Sequence, residues 1–178
     1  MLDILAYGAA ALIVAALGIV VYATTKPDTF TVERSTTIGA PPTDIYPLIA
    51  DLRAMNTWNP FVEHDPTIEI TYMGPPSGAG AVHTWRGNRN VGEGRIEITE
   101  ATPPSSIVMQ LDMLKPMKAH NRVTFTLQPE GLGTKVTWAM SGAQPLMGKI
   151  MSVFIDCDRM VGSRFEAGLA KLKAIAER

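Results

Sequence analysis

RVTFTLQPEGLGTKVTWAM, residues 122–140, holds two stretches of alternating apolar and polar side chains joined by a glycine-containing turn. Val123, Phe125 and Leu127 share one face of the first stretch; Val136, Trp138 and Met140 share one face of the second. A period of two belongs to a β-strand. The short Glu130-Gly131-Leu132-Gly133 link suits only antiparallel neighbours, because parallel pairs need long crossovers. The same alternation recurs upstream in Phe30 to Ile38, Ile68 to Met73, Ala81 to Arg86, Gly94 to Ala101 and Ile107 to Met113. Pro75-Pro76-Ser77-Gly78, Gly87-Asn88 and Pro103-Pro104 separate these runs as turns. Seven strands are therefore expected in one antiparallel sheet.

Two segments keep a different period. After Gly39-Ala40-Pro41-Pro42, Thr43 is the expected N-cap of a helix that puts Ile45, Leu48, Ile49 and Leu52 on one face, with Pro47 in its first turn. A short second helical turn over Met55 to Phe61 is stopped by Asn59-Pro60. From Leu146 to about Glu177, the apolar positions Ile150, Phe154, Cys157, Val161, Phe165, Leu169 and Leu172 form one helical stripe. The order predicts an α+β fold, a curved antiparallel sheet wrapped on one long C-terminal helix. A helix laid across the concave face would close a cavity, a usual place for a small-molecule site.

The N-terminus is of another kind. Ile4 to Thr25 carries no charge, and Ile4 to Ala23 has the length of a membrane span, about 20 residues. Tyr7 and Tyr22 lie near its ends, at headgroup level. A cleaved signal peptide fits less well: no Lys or Arg precedes the run and the run is too long, although Val21-Tyr22-Ala23 offers a cleavage site. Lys26 and Arg34 follow the span, which leans the domain toward the cytoplasm of a single-pass protein. The chain thus divides into an anchor over 1–25, a linker over 26–29 containing Lys26-Pro27-Asp28, and one domain over 30–178.

Composition removes several classes. A hydrophobic fraction of 46% excludes a disordered chain, and a net charge of −1 gives nucleic acid no basic surface. The single cysteine, Cys157, forms no internal disulfide, and its place on the stripe predicts a buried, inert thiol. His64, His83 and His120 are too scattered for a metal site, and no cofactor is expected. Gly78-Ala79-Gly80 and Gly92-Glu93-Gly94 lack the third glycine of a dinucleotide fingerprint. Asp156 and Asp158 do not share a helical face, so they make a poor carboxylate pair.

Several segments, taken in order, resemble the START/Bet v 1-like (SRPBCC) superfamily, in its polyketide cyclase/dehydrase and lipid transport branch. They are Ile38-Gly39-Ala40-Pro41, Trp58-Asn59-Pro60, and Trp85-Arg86-Gly87-Asn88 continuing to Gly92-Glu93-Gly94. Gly133-Thr134-Lys135-Val136-Thr137-Trp138, Asp158-Arg159-Met160-Val161-Gly162 and Phe165-Glu166-Ala167-Gly168-Leu169 complete the set. The resemblance spans nearly the whole domain. It implies a helix-grip fold holding a hydrophobic ligand and leaves the reaction open, since members are similar variously to lipid carriers, quinone binders, cyclases and stress-related proteins.

Alternation also predicts the cavity wall. His83 and Trp85 share a face, as do Met109, Leu111 and Met113; Val123, Phe125, Trp138 and Met140 extend it. Trp58 and Phe61 are expected near the mouth and Phe154 on the covering helix. Ordinary core uses the same residue types, so alternation alone does not separate wall from core. Seven of the ten methionines lie between Met109 and Met160, and flexible thioethers suit an adaptable wall as well as plain core. Arg86, Arg95 and Arg122 should face outward; with Arg89, Lys115 and Lys118 they form either a solvated surface or a contact for anionic headgroups. His64 and His120 are expected in solvent, while His83 either binds a ligand oxygen, acts in acid–base work, or is satisfied by a nearby backbone group.

Three functions follow. One is a membrane-held module for a lipid, isoprenoid, quinone or polyketide-like molecule. The second is a cyclase or dehydratase using His83 with a nearby arginine or aspartate. The third is a co-chaperone-like interaction domain with an exposed apolar patch and a collapsed cavity, whose protein partner the sequence does not name.

Overall fold

The computed structural model describes residues 2–62, 65, 67–89 and 91–178, and the side chains of residues 2–6, 9 and 11 are outside that description. His64 lies outside it as well. The chain opens with helix α1 (Leu2–Thr24) and strand β1 (Thr29–Ile38), followed by three short helices, α2 (Pro42–Ile45), α3 (Pro47–Ala50) and α4 (Leu52–Met55). Six strands come next: β2 (Glu69–Met73), β3 (Val82–Arg86), β4 (Glu93–Thr102), β5 (Ser106–Lys115), β6 (Ala119–Glu130) and β7 (Gly133–Ala143). Helices α5 (Leu146–Phe154) and α6 (Cys157–Ala176) end the chain.

All strand pairs are antiparallel, in the order β1-β7-β6-β5-β4-β3-β2. First and last strands pair over their whole length, from Thr29 opposite Ala143 to Ile38 opposite Thr134. Helices α2 to α4 carry the chain from β1 to the opposite edge. Ile45, Ile49 and Leu52 of the predicted face are buried and Leu48 is half-buried; Met55, outside that face, is buried as well. The single helix expected there is broken, however. Pro47 opens α3 rather than sitting inside a longer helix, because it has no N–H to continue one. Thr43 lies inside α2, which starts on Pro42 with Pro41 as its N-cap. Asp51 caps α4, accepting from Arg53 N at 2.8 Å.

The long C-terminal helix is likewise two helices. Ile155 and Asp156 are extended, and the Asp156 carboxylate accepts from Arg159 N at 2.9 Å, which starts α6 afresh. An aspartate that can bond a backbone amide ahead of it competes with continuous helix. The restart turns Phe154 and Cys157 off the buried stripe. Phe154 is 70% exposed and Cys157 is exposed, whereas Phe165, Leu169 and Leu172 are buried. Among the described residues no helix is long and apolar enough to cross a membrane. The expected span, 4–23, falls in α1.

Two of the contacts that hold helix α6 on the sheet lie on its N-terminal half. Phe165 stacks on Trp138 with centroids 4.1 Å apart and planes 9° apart. Arg34 of β1 lies over Gly162, where a Cβ would overlap its guanidinium, and binds Asp158 and Glu166, each at 2.8 Å. Those hydrogen bonds hold the Asp158 carboxyl below its usual range and raise Arg34 above its own. Asp158 is thus engaged by Arg34 and Asp156 by the N-terminus of α6.

Candidate ligand cavity

The register of the sheet assembles the site. Tyr72 of β2 stands opposite His83 of β3, His83 opposite Ile96 of β4, and Ile96 opposite Leu111 of β5. Leu111 faces Asn121 of β6, which faces Gly142 of β7. Cross-strand partners point to the same side, so this row runs unbroken over one face. A neighbouring row contains Met109, Val123 and Met140, and a third contains Phe125 and Trp138. Val161 and Phe165 of α6 close the hollow from above, and Met55, Asn59 and Phe61 close it from the side. The cavity between them measures about 340 Å³.

Ten predicted wall residues line it: Phe61, His83, Trp85, Met109, Leu111, Met113, Val123, Phe125, Trp138 and Met140. Phe61, at 41% exposure, is the one lining side chain open to solvent among those described. Two expectations fail. Trp58 is 0% exposed and packs behind the wall, edge-on to Trp138 and Phe125, with its Nε1–H donating to Leu48 O at 2.9 Å. Asn59-Pro60 turns the chain before the ring can reach the hollow. Phe154, displaced by the break before α6, borders a separate surface groove with Phe30 and Gln144. Met117, Met147, Met151 and Met160 are exposed, so only part of the methionine-rich region belongs to the wall.

Unforeseen lining residues include Asn59, Ile96, Asn121 and Phe165. Asn121 was legible, since it lies two positions before Val123 on the same face. Asn59 was not, because it depends on a loop.

His83 is 4% exposed and packs edge-on against Tyr72 and Trp85. Phe61 N–H donates to Asn59 Oδ1 at 3.1 Å, which leaves the Asn59 amide to donate to Asn56 Oδ1 at 3.2 Å. Asn56 Nδ2 therefore faces Tyr72 Oη at 2.9 Å and His83 Nδ1 at 3.1 Å. An amide nitrogen only donates, so Nδ1 accepts and the ring proton sits on Nε2. A backbone amide thus sets the histidine tautomer through two asparagines. His83 is satisfied here by a side chain rather than by the expected backbone group.

Burial pushes the His83 pKa down to about 4, keeping it neutral at physiological pH. An unfolded ring binds a proton below about 6.5, the folded ring only below about 4. Its contribution to stability is therefore intact above pH 6.5 and is lost as pH falls toward 4, amounting to roughly 3 kcal/mol. His83→Phe should lose less stability than the wild type between pH 7 and 4.5 in denaturant titrations. Equal losses would contradict the assignment.

The outer face holds the arginines. Arg86 pairs with Glu93, Arg95 with Glu97 and Arg122 with Glu100. His120 is in solvent and pairs with Asp112 at 2.7 Å. No Asp, Glu, Lys or Arg side chain is among the described residues lining the cavity. Among the described lining residues, His83 is therefore the one side chain that could move a proton as an acid or base at neutral pH. Among the described residues no His, Cys, Asp and Glu group could hold a metal.

Sheet, helix and hollow together define a helix-grip fold. The sequence matches the family described as polyketide cyclase / dehydrase and lipid transport over residues 29–177, and the chain belongs to that family. No curated protein matches it. Among solved structures it is similar to protein CV1439 from Chromobacterium violaceum, at 16% identity and TM-score 0.59, covering 86% of this chain and 99% of that one. It is also similar to the Aha1 dimer from Colwellia psychrerythraea, at 18% identity and TM-score 0.59, covering 83% and 96%. Ara h 8.0201 aligns at 14% identity and TM-score 0.56, covering 82% and 99%. At these identities the likeness is one of fold.

Proposed function

We propose that this protein binds one small, uncharged, apolar molecule in the cavity under α6, and that α1 keeps the domain at a membrane. The hollow itself carries the binding reading. At about 24 cal/mol per Å³, an unfilled apolar space of this order costs several kcal/mol, a large share of a domain's stability. Water gains few partners against such a wall. An apolar ligand, stabilised by about 25 cal/mol per Å² of surface removed from water, offsets that cost. The interaction-domain reading expects a collapsed cavity, so the open one favours ligand binding.

The membrane reading rests on α1 and its neighbour. At 23 residues α1 is ~35 Å long, and Tyr7, Leu12, Ile13, Val14, Leu17, Val21 and Tyr22 are all exposed on it. The linker is tied to α5: Lys26 donates to Ser152 O at 2.9 Å and Lys149 to Asp28 Oδ1 at 2.6 Å. On α5 itself Leu146, Met147, Met151 and Phe154 are exposed, continuing the apolar surface beside α1. The basic residues after α1 favour the cytoplasmic side.

Purifying the full chain in mild detergent, extracting it with solvent and analysing the extract by mass spectrometry tests the binding reading. A stoichiometric apolar compound is expected. An empty protein that also fails to take up hydrophobic probes would refute it. Alkaline extraction of membranes tests the anchor, which predicts that the chain stays in the pellet.

A further inference from the structure

We propose that the ligand is an elongated neutral molecule with two separated oxygen functions, one accepting the His83 Nε2–H and the other paired with the Asn121 amide. This rests on the cavity-binding reading and adds the chemistry of what is bound.

Both side chains are more than nine-tenths buried, at 4% and 8% exposure, and both line the cavity. The Asn59–Asn56 relay uses up Nδ1 of His83 and leaves Nε2–H without a partner among the described residues. Asn121 makes no side-chain hydrogen bond among them either, although its amide has two donors and an acceptor. Buried polar groups are normally paired, so the open His83 and Asn121 groups on this apolar wall mark where a ligand's polar atoms belong; the Trp138 indole N–H, also unpaired among the described residues, has almost no accessible surface and stays out of a ligand's reach. The Asn121 position is also specifically accommodated. A Cβ on Gly142, its cross-strand partner, would overlap Asn121 Oδ1, so only glycine leaves room for the amide there.

The two groups stand in one cross-strand row, separated by Ile96 and Leu111. Three strand steps of about 4.8 Å put them ~14 Å apart along the sheet. Sheet curvature brings groups on one concave face closer together than that backbone spacing. The centre of the row is aliphatic, so the ligand between its two oxygens must be apolar. With no Lys or Arg among the described wall residues, a carboxylate or phosphate would be buried there without a counter-charge from them. Burial keeps His83 itself neutral.

The test uses the full chain in detergent and two rigid probes of one shape: 5α-androstane, with no oxygen, and 5α-androstane-3,17-dione, with an oxygen at each end. Trp85 and Trp138 in the wall report binding of either probe through the change in their emission as the cavity fills. Affinities are compared with wild type at one detergent concentration, so partitioning into micelles cancels. His83→Phe and Asn121→Leu should each weaken the dione roughly two- to tenfold, with the losses multiplying in the double variant. Androstane, which leaves both polar groups unpaired, should bind either variant no more weakly than wild type. His83→Gln, which restores an N–H near Nε2, should recover most of the dione affinity; it and Asn121→Leu test the two ends even if His83→Phe does not fold. Equal effects on both probes, or no effect on the dione, would overturn the assignment. If wild type binds neither probe nor any other apolar compound, the cavity-binding reading falls, and this one with it.

Discussion

Leu111→Trp is expected to remove ligand binding and leave the fold intact. Leu111 sits mid-row between Ile96 and Asn121, facing the cavity and only half-buried because the space in front of it is open. An indole there would occupy volume that a ligand needs. If ~100 Å² of ligand contact is displaced, roughly 2.5 kcal/mol is lost, or about sixtyfold in affinity. Overpacking a dense core costs 1–3 kcal/mol, typically. Filling a hollow avoids most of that, so the melting temperature should hold or rise. Probe titration and thermal unfolding of the same sample measure both effects. Unchanged affinity would place the ligand elsewhere.

Trp138→Ala should cost about 3–5 kcal/mol of stability, the largest loss expected from any single wall residue. The ring is 5% exposed and touches four aromatic neighbours at once: stacked on Phe165, tilted 31° against Phe125 at 5.0 Å, and edge-on to Trp58 at 5.7 Å and Phe61 at 6.4 Å. It joins the sheet to α6, so its loss loosens the grip as well as enlarging the hollow. Small domains have only about 5–15 kcal/mol in total. The indole N–H has no hydrogen-bond partner among the described residues. Trp138→Phe should therefore be mild, below about 1.5 kcal/mol, because no bond is broken. Urea denaturation distinguishes the two variants, and equal midpoints for Ala and Phe would contradict this account of the aromatic cluster.

Strand alternation made most of the cavity wall legible because its period is rigid. Once Val123 and Phe125 face inward, Asn121 and Leu127 must do so too, and the pairing carries that side to Met109 and Trp138. Helical spacing was less secure. A stripe read continuously from Ile150 to Leu172 assumes one unbroken helix, and Asp156 breaks it by capping α6. Phe154 and Cys157 were misplaced for that one reason. Trp58 was misplaced because a loop after α4 has no period to say which way a ring turns. The tautomer of His83 depends on Asn56, Asn59 and the Phe61 amide meeting in space, and no spacing in the sequence encodes that meeting. Family likeness gave the helix-grip outline but not the neutral polar pair at the ends of the row.

Photo-crosslinking with an alkyl diazirine, followed by peptide mass spectrometry, tests the central claim most directly. If the hollow takes up apolar molecules, label should appear on β5 to β7 peptides carrying Met109, Leu111, Val123 and Met140, and Leu111→Trp should abolish it. Label confined to the exposed apolar faces of α1 and α5, unaffected by Leu111→Trp, would contradict the account.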